Sequence, residues 1–367
     1  MRRGQLDVQF NWIFVLIAGA VILGLFFKVA MTQQQLSQDK AAIRLQNDFD
    51  AISNAALQSK DTIQVIPMPK LGLHFGCDGT CACNIKFGRF SVPFDDRSIF
   101  TSNSVEGSDA RLWVMDWKVP FRVTNMLYIT NDQTKYFIVA NSVDPLLARL
   151  QALLPSEVNY QVISTADEAK NENYANVVFA FINQQPALSP MTLSAFKNAN
   201  VRIVTANDDP SAEGFGSVDF APVKKGRIGA SVSSAYIGDQ MLIGAIFAND
   251  VKVYKCSARI AFQRLQGVSS VYLERANQLL GLVGDQSNPL YRCAALYNGI
   301  VGGAASAAQC TTGAGPLCAI ISASKDVIAN EPSQSVIGNA MIVIKDAMTT
   351  LTGQNEQLLR ESCPTVY

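Results

Sequence analysis

Three cysteines crowd one short loop, Cys77-x3-Cys81-x-Cys83, with the only histidine of the chain, His74, just upstream. Three thiolates and one imidazole are a zinc donor set in kind. The Cys-x-Cys spacing is tight for a tetrahedral ion and fits no zinc pattern, so disulfides are the competing chemistry. Three neighbouring cysteines cannot all pair among themselves. At least one must therefore reach Cys256, Cys293, Cys310, Cys318 or Cys363. Cys310 and Cys318 flank the loop TTGAGPL and can staple a helical hairpin locally. Eight cysteines allow on the order of a hundred connectivities, and the sequence does not choose among them.

A second set of donors is carboxylate and amide oxygen. Asn141, Asp144, Asn207, Asp208 and Asp209 follow apolar runs. If those runs are parallel strands, the residues lie at their carboxyl ends, where such sheets bind ligands. Asp208 and Asp209 are the candidates for a hard cation such as Ca²⁺. A polar loop with turn capping explains the same residues. Lys224-Lys225-x-Arg227 is a small basic patch that reads as solvated. No catalytic residue is assigned, because every histidine-based mechanism must use His74 and no G-x-S-x-G turn occurs. No cofactor is expected either. Gly214 and Gly216 begin a G-x-G-x-x-G turn whose third place is Asp219, and Gly281-x-x-Gly284 follows a helix.

Three segments must position these groups. Residues 61–134 are aromatic, β-branched and rich in turn signals, which predicts a β-rich element carrying the cysteine loop. Its clearest strands are 111–118, with Trp113 and Trp117, and 121–130. Residues 135–282 alternate apolar runs with helical patterns. Strands are expected over 135–141, 158–164, 175–182, 201–206 and 240–247. Helices are expected over 144–154, with Asp144 as N-cap and Pro145 in the first turn, over 189–198 and over 254–280. The alternation predicts an α/β fold, a mostly parallel sheet with helices on both faces. Residues 283–367 read as a helical segment packed on that domain. Gly299, Gly303 and Ala307 are spaced for close helix contact within 290–308. Helices follow over 317–328 and 336–351, with Gly353 as a stop.

The first sixty residues are of another kind. Residues 12–27 read WIFVLIAGAVILGLFF, sixteen apolar residues without a break. About twenty helical residues span the roughly 30 Å of a bilayer core. Residues 1–31 are thus read as a transmembrane anchor touching lipid through 12–31, with Phe10 and Trp12 suited to one interface. A removable signal peptide is the rival, but no small-x-small site follows Phe27. Residues 32–60 continue as a helical stalk with Leu45, Phe49, Ile52 and Ala56 on one stripe. Lys and Arg flank both sides of the anchor, so charge does not orient it. All eight cysteines lie beyond it, and their even number suits an oxidising space. The body is therefore expected outside the cytosol.

Arg2-Arg3-Gly4-Gln5-Leu6 before an apolar helix resembles the class III signal peptide of archaeal type IV pilin-like proteins. The resemblance implies cleavage between Gly4 and Gln5 and self-association through the N-terminal helix. Where that family places Glu at the fifth mature position, this chain has Gln9.

Composition narrows the rest. The 367 residues carry 30 Lys+Arg and 30 Asp+Glu, so no net field draws nucleic acid. With 49% apolar and 16% charged residues, the chain supports a large core. Together these features predict a single-pass membrane protein with a structural or binding role. The alternatives are a pilin-like filament subunit and an anchored receptor or enzyme using the strand-end carboxylates.

Overall fold

The computed structural model describes the chain apart from residues 1–3, 57–62, 69–71, 89, 95, 171–172, 210–211, 225, 249, 304–305, 311–313 and 330–333. Arg2, Arg3 and Lys225 lie outside the described residues, as do the side chains of Phe10, Trp12, Leu45 and Ala56. The segments read as anchor and stalk lie, as far as Ala56, in one helix, α1 (Gly4–Ala56), 53 residues long. No Pro interrupts it, and Val15, Leu16, Ile17, Leu23, Leu25, Phe26 and Phe27 are exposed along it. Further on, Ala42 and Phe49 are buried against the first β element, with Phe49 edge-on to Phe87 at 6.1 Å. Burying such a phenylalanine contributes about 2–3 kcal/mol, enough to seat the helix end on the body.

The β-rich element comprises β1 (Ile63–Pro67), β2 (Leu73–Cys77), β3 (Cys83–Phe87), β4 (Phe90–Pro93), β5 (Ile99–Thr101), β6 (Ser104–Val105), β7 (Asp109–Lys118) and β8 (Arg122–Asn131). They form two sheets, ordered β1-β7-β8-β5 and β4-β3-β2-β6. The long hairpin β7–β8 pairs Trp113 with Tyr128, and its register shifts beside Trp117 just before the cis Val119–Pro120 bond.

The third sheet uses β9 (Thr134–Val139), β10 (Tyr160–Ile163), β11 (Asn176–Ile182), β12 (Asn200–Asp209), β13 (Ala212–Lys224), β14 (Arg227–Ile228) and β15 (Val232–Ile237). Helix α2 (Pro145–Leu153) joins β9 to β10, and the six-residue α3 (Pro190–Ala195) joins β11 to β12. β10, β9, β11 and β12 are parallel neighbours. β13 is antiparallel to β12, β14 and β15, so the sheet is mixed and not mostly parallel. The cause is local: no helical pattern separates β12 from β13, and a hairpin can join only antiparallel strands. Val218 and Phe220, both buried and alternating with Asp219, carry the missed strand signal.

Residues 240–247 are not a strand. They lie in α4 (Asp239–Ala248), which is buried from Met241 through Ala248 and packs between β5, β7 and β8 on one side and β12, β13 and β15 on the other. A run apolar all round has no period to distinguish helix from strand, which is why the sequence misleads here.

The remainder is α5 (Val251–Val283), α6 (Ala294–Val301), α7 (Pro316–Ala329) and α8 (Gln334–Arg360), with α7 packed on both α5 and α8. The tail departs from expectation twice. α6 stops at Gly302, so Gly299, Gly303 and Ala307 do not share one helix. The close approach is made instead by Gly302 and Gly315: Gly302 has φ 62°, and a Cβ there would lie 1.8 Å from Gly315 N. At the other departure, α8 runs through Gly353 to Arg360 because Leu351 and Leu358 are both buried. Their burial outweighs the ~1 kcal/mol that a mid-helix glycine costs.

Candidate functional site

The cysteine loop joins β2 to β3. Asp78 shapes it: its Oδ1 accepts from Thr80 N, Thr80 Oγ1 and Ala82 N at 2.7–3.0 Å. These bonds, the Thr80 hydroxyl first, hold the Asp78 carboxyl below its ordinary range. Cys77 is bonded to Cys83 across the hairpin, and Cys81 to Cys256 of α5. Cys293 is bonded to Cys363 and Cys310 to Cys318. The sulfurs of Cys77, Cys83 and Cys256 lie within 4.8 Å of one another, but all are committed to disulfides and offer no thiolate to zinc. His74 points elsewhere; it is exposed on β2, opposite Lys86 of β3.

The tethered loop roofs a pocket of about 310 Å³. Ala258 and Phe262 of α5, Val327 and Ile328 of α7 and Met341 of α8 make its wall apolar. Lys252, Lys255 and Arg259 bring positive charge to the lining. Arg259 Nη1 donates to Thr80 O at 3.4 Å, a further tie between α5 and the loop.

The strand-end residues do not form one cluster: Asp208 meets a cation of the protein, Asn207 Nδ2 donates to Asp219 Oδ2 at 3.3 Å, and Asn141 Oδ1 accepts from Val143 N at 3.3 Å in its own turn. Asp144 caps α2, accepting from Leu146 N at 2.9 Å. Its other oxygen accepts from Asn183 Nδ2 at 3.0 Å, and Asn183 Oδ1 accepts from Asp208 N at 2.8 Å. The loops after β9 and β11 are thus laced to the end of β12. Arg149 of α2 occupies the centre. It donates from Nη2 to Asp208 Oδ2 at 2.9 Å and from Nε to Asp239 at 3.0 Å, with Glu213 at 3.6 Å. Tyr236 donates its hydroxyl to Asp208 Oδ1 at 2.8 Å. Asp209 stands apart, 3.7 Å from Lys345 of α8.

Burial raises the Asp239 carboxyl above its ordinary value, while Arg149 pulls it the other way. Burial likewise pushes the Tyr236 phenol up, and the neighbouring Asp208 charge adds to it. For Arg149, burial acts downward but is outweighed by the bonds to Asp208 and Asp239, which hold the guanidinium above its ordinary value. Both oxygens of Asp208 therefore already take protein donors. The arrangement is an ion-pair and hydrogen-bond clamp that joins strand ends to α2 and α4.

Asn141, Asp144, Asn207, Asp208 and Asp209 are legible in the sequence as strand-end polar groups. Arg149, Asn183, Tyr236 and Asp239 carry no such motif. One signal was available: Arg149 is the lone charge within PLLARLQAL, an apolar helix beside strand ends, where a cation must find carboxylates. Among the described basic residues of the small patch, Lys224 and Arg227 are exposed on β13 and β14.

No protein family, curated protein or solved structure matches this chain.

Proposed function

We propose that this chain is a single-pass membrane protein whose disulfide-bonded body stands outside the cytosol and serves a binding or structural role, without catalysis. The observation that carries the reading is the exposed apolar surface of α1. None of the helix's most apolar 18-residue stretch is covered by the body, and soluble proteins rarely leave so large an apolar patch to water. Lipid is the solvent that suits it. The four disulfides, with no free cysteine, support the oxidising side of the membrane. The pocket beneath the Cys81 loop supplies the concave apolar surface that a binding role needs.

The test is fractionation followed by thiol labelling. The chain should stay with membranes through alkaline carbonate, and a maleimide polymer should shift it only after reduction. Recovery in the aqueous fraction with reactive thiols would overturn the reading.

A pilin-like subunit is the second reading. Its support is the unbroken continuity of α1, whose far end is seated on the body through Ala42 and Phe49. Sequencing the mature N-terminus decides it. A start at Gln5 supports processing after Gly4, and an intact Met1 or Arg2 sinks it.

A further inference from the structure

A separate cleft of about 380 Å³ opens where the turn before β5, the start of β8 and the middle of α5 meet, and each contributes an arginine: Arg97, Arg122 and Arg264. The three guanidiniums are unequally matched. Arg97 lies 3.5 Å from Asp50 of α1 and 3.6 Å from Asp96. Arg122 Nη2 donates to the amide oxygen of Asn125 at 3.0 Å, and Arg264 Nη2 to the backbone carbonyl of Asp96 at 3.3 Å. Neither Arg122 nor Arg264 has an ion pair among the described residues. Asp96, the one carboxylate on the lining among the described residues, is turned largely to solvent at 71% exposure. Ser98 lies on the same lining and is 2% exposed, and its hydroxyl has no hydrogen-bond partner among the described residues.

We propose that this cleft binds a small polyvalent oxyanion, a phosphate or a phosphoryl group, through Arg122 and Arg264, with Arg97 on the same lining. The chemistry favours this class over a simple carboxylate. A guanidinium fork takes two oxygens at once, and several forks need an anion with more than two. Two sources carry the same phosphoryl chemistry, a lipid headgroup and a free anion. On the anchored reading of α1, the apolar stretch ends near Met31, and Asp50, which holds Arg97, lies about 28 Å further along the helix. That distance places the cleft beyond headgroup reach, so the free anion is the occupant.

The test uses the full-length protein reconstituted in neutral phosphatidylcholine vesicles and titrated calorimetrically with inorganic phosphate and pyrophosphate. Saturable binding is expected. It should weaken at least about tenfold in Arg122→Gln with Arg264→Gln, while Lys118→Gln, outside the cleft, leaves it unchanged. Arg122 and Arg264 are exposed, so these variants keep the fold, and circular dichroism checks this. No saturable binding, or binding indifferent to the paired substitution, overturns the site. If phosphate binding falls only when anionic phosphatidylglycerol is added to the vesicles, in the wild type but not in the paired variant, the headgroup is the occupant and the free-anion assignment is overturned.

Discussion

Cys81, in a five-residue loop between two short strands, is covalently joined to Cys256, 175 residues downstream on the longest helix of the body. Constraint of the unfolded chain grows with the length of the closed loop. On that account this bridge contributes about 5 kcal/mol, and Cys77–Cys83, spanning six residues, about 2 kcal/mol. Removing both partners, Cys81→Ala with Cys256→Ala, should therefore lower denaturant stability more than the Cys77→Ala, Cys83→Ala pair does. Equal losses would mean that the long bridge adds little beyond what packing already holds.

The Arg149 clamp makes a second prediction. Arg149→Met leaves Asp208 and Asp239 facing each other without a cation, in a place where each is under a fifth exposed. The expected cost is about 2–4 kcal/mol by thermal or chemical melts. Tyr236→Phe should cost about 1 kcal/mol, the worth of one hydrogen bond. Calcium should leave the melting temperature where it is, since both Asp208 oxygens already take protein donors and the Arg149 guanidinium holds the site against a second cation. A calcium-dependent rise abolished by Asp208→Ala would restore the strand-end pair as a cation site.

Acid dependence follows from the opposite shifts of two sets of carboxyls. The folded Asp239 binds its proton more tightly than the ordinary value of 3.8. Its contribution is therefore complete below that value and is lost as pH rises through the raised pKa. Asp167, held down chiefly by the Thr192 hydroxyl, behaves in reverse: its stabilisation is present above 3.8 and lost as pH falls. The stability difference between wild type and Asp239→Asn should accordingly shrink from acid toward neutral pH. For Asp167→Asn it should grow. Melts across that window check both, and parallel curves would contradict the assignment.

Gly302 and Gly303 give a matched pair. Both have positive φ, 62° and 79°, so alanine costs about 1 kcal/mol at either for conformation alone. At Gly303 the added methyl meets open space. At Gly302 it collides with the backbone of Gly315. Gly302→Ala should destabilise by several-fold more than Gly303→Ala, about 3 kcal/mol or beyond. Similar melts for the two would show that the crossing is not tight.

What the sequence made legible is what short-range rules govern. Asp144 and Pro145 begin a helix because a carboxylate and a fixed φ suit its first turn, and α2 starts there. The runs over 175–182 and 201–206 are strands because apolar residues on both faces suit a covered sheet. What escaped depends on distant partners. α4 is helical because two sheets enclose it, α8 passes Gly353 because Leu358 is buried beyond it, and Arg149 is central because three carboxylates arrive from β12, β13 and α4. No local pattern carries those meetings.

The enclosed helix α4 bears on how such a polypeptide crosses a bilayer. Its ten residues are uncharged after Asp239 and as oily as a membrane segment, yet they are half the length that halts a nascent chain in transit. A secretion channel would pass them through rather than release them sideways. On the proposed anchored reading, topogenesis is then decided by α1, and the body that follows it is delivered to a single compartment.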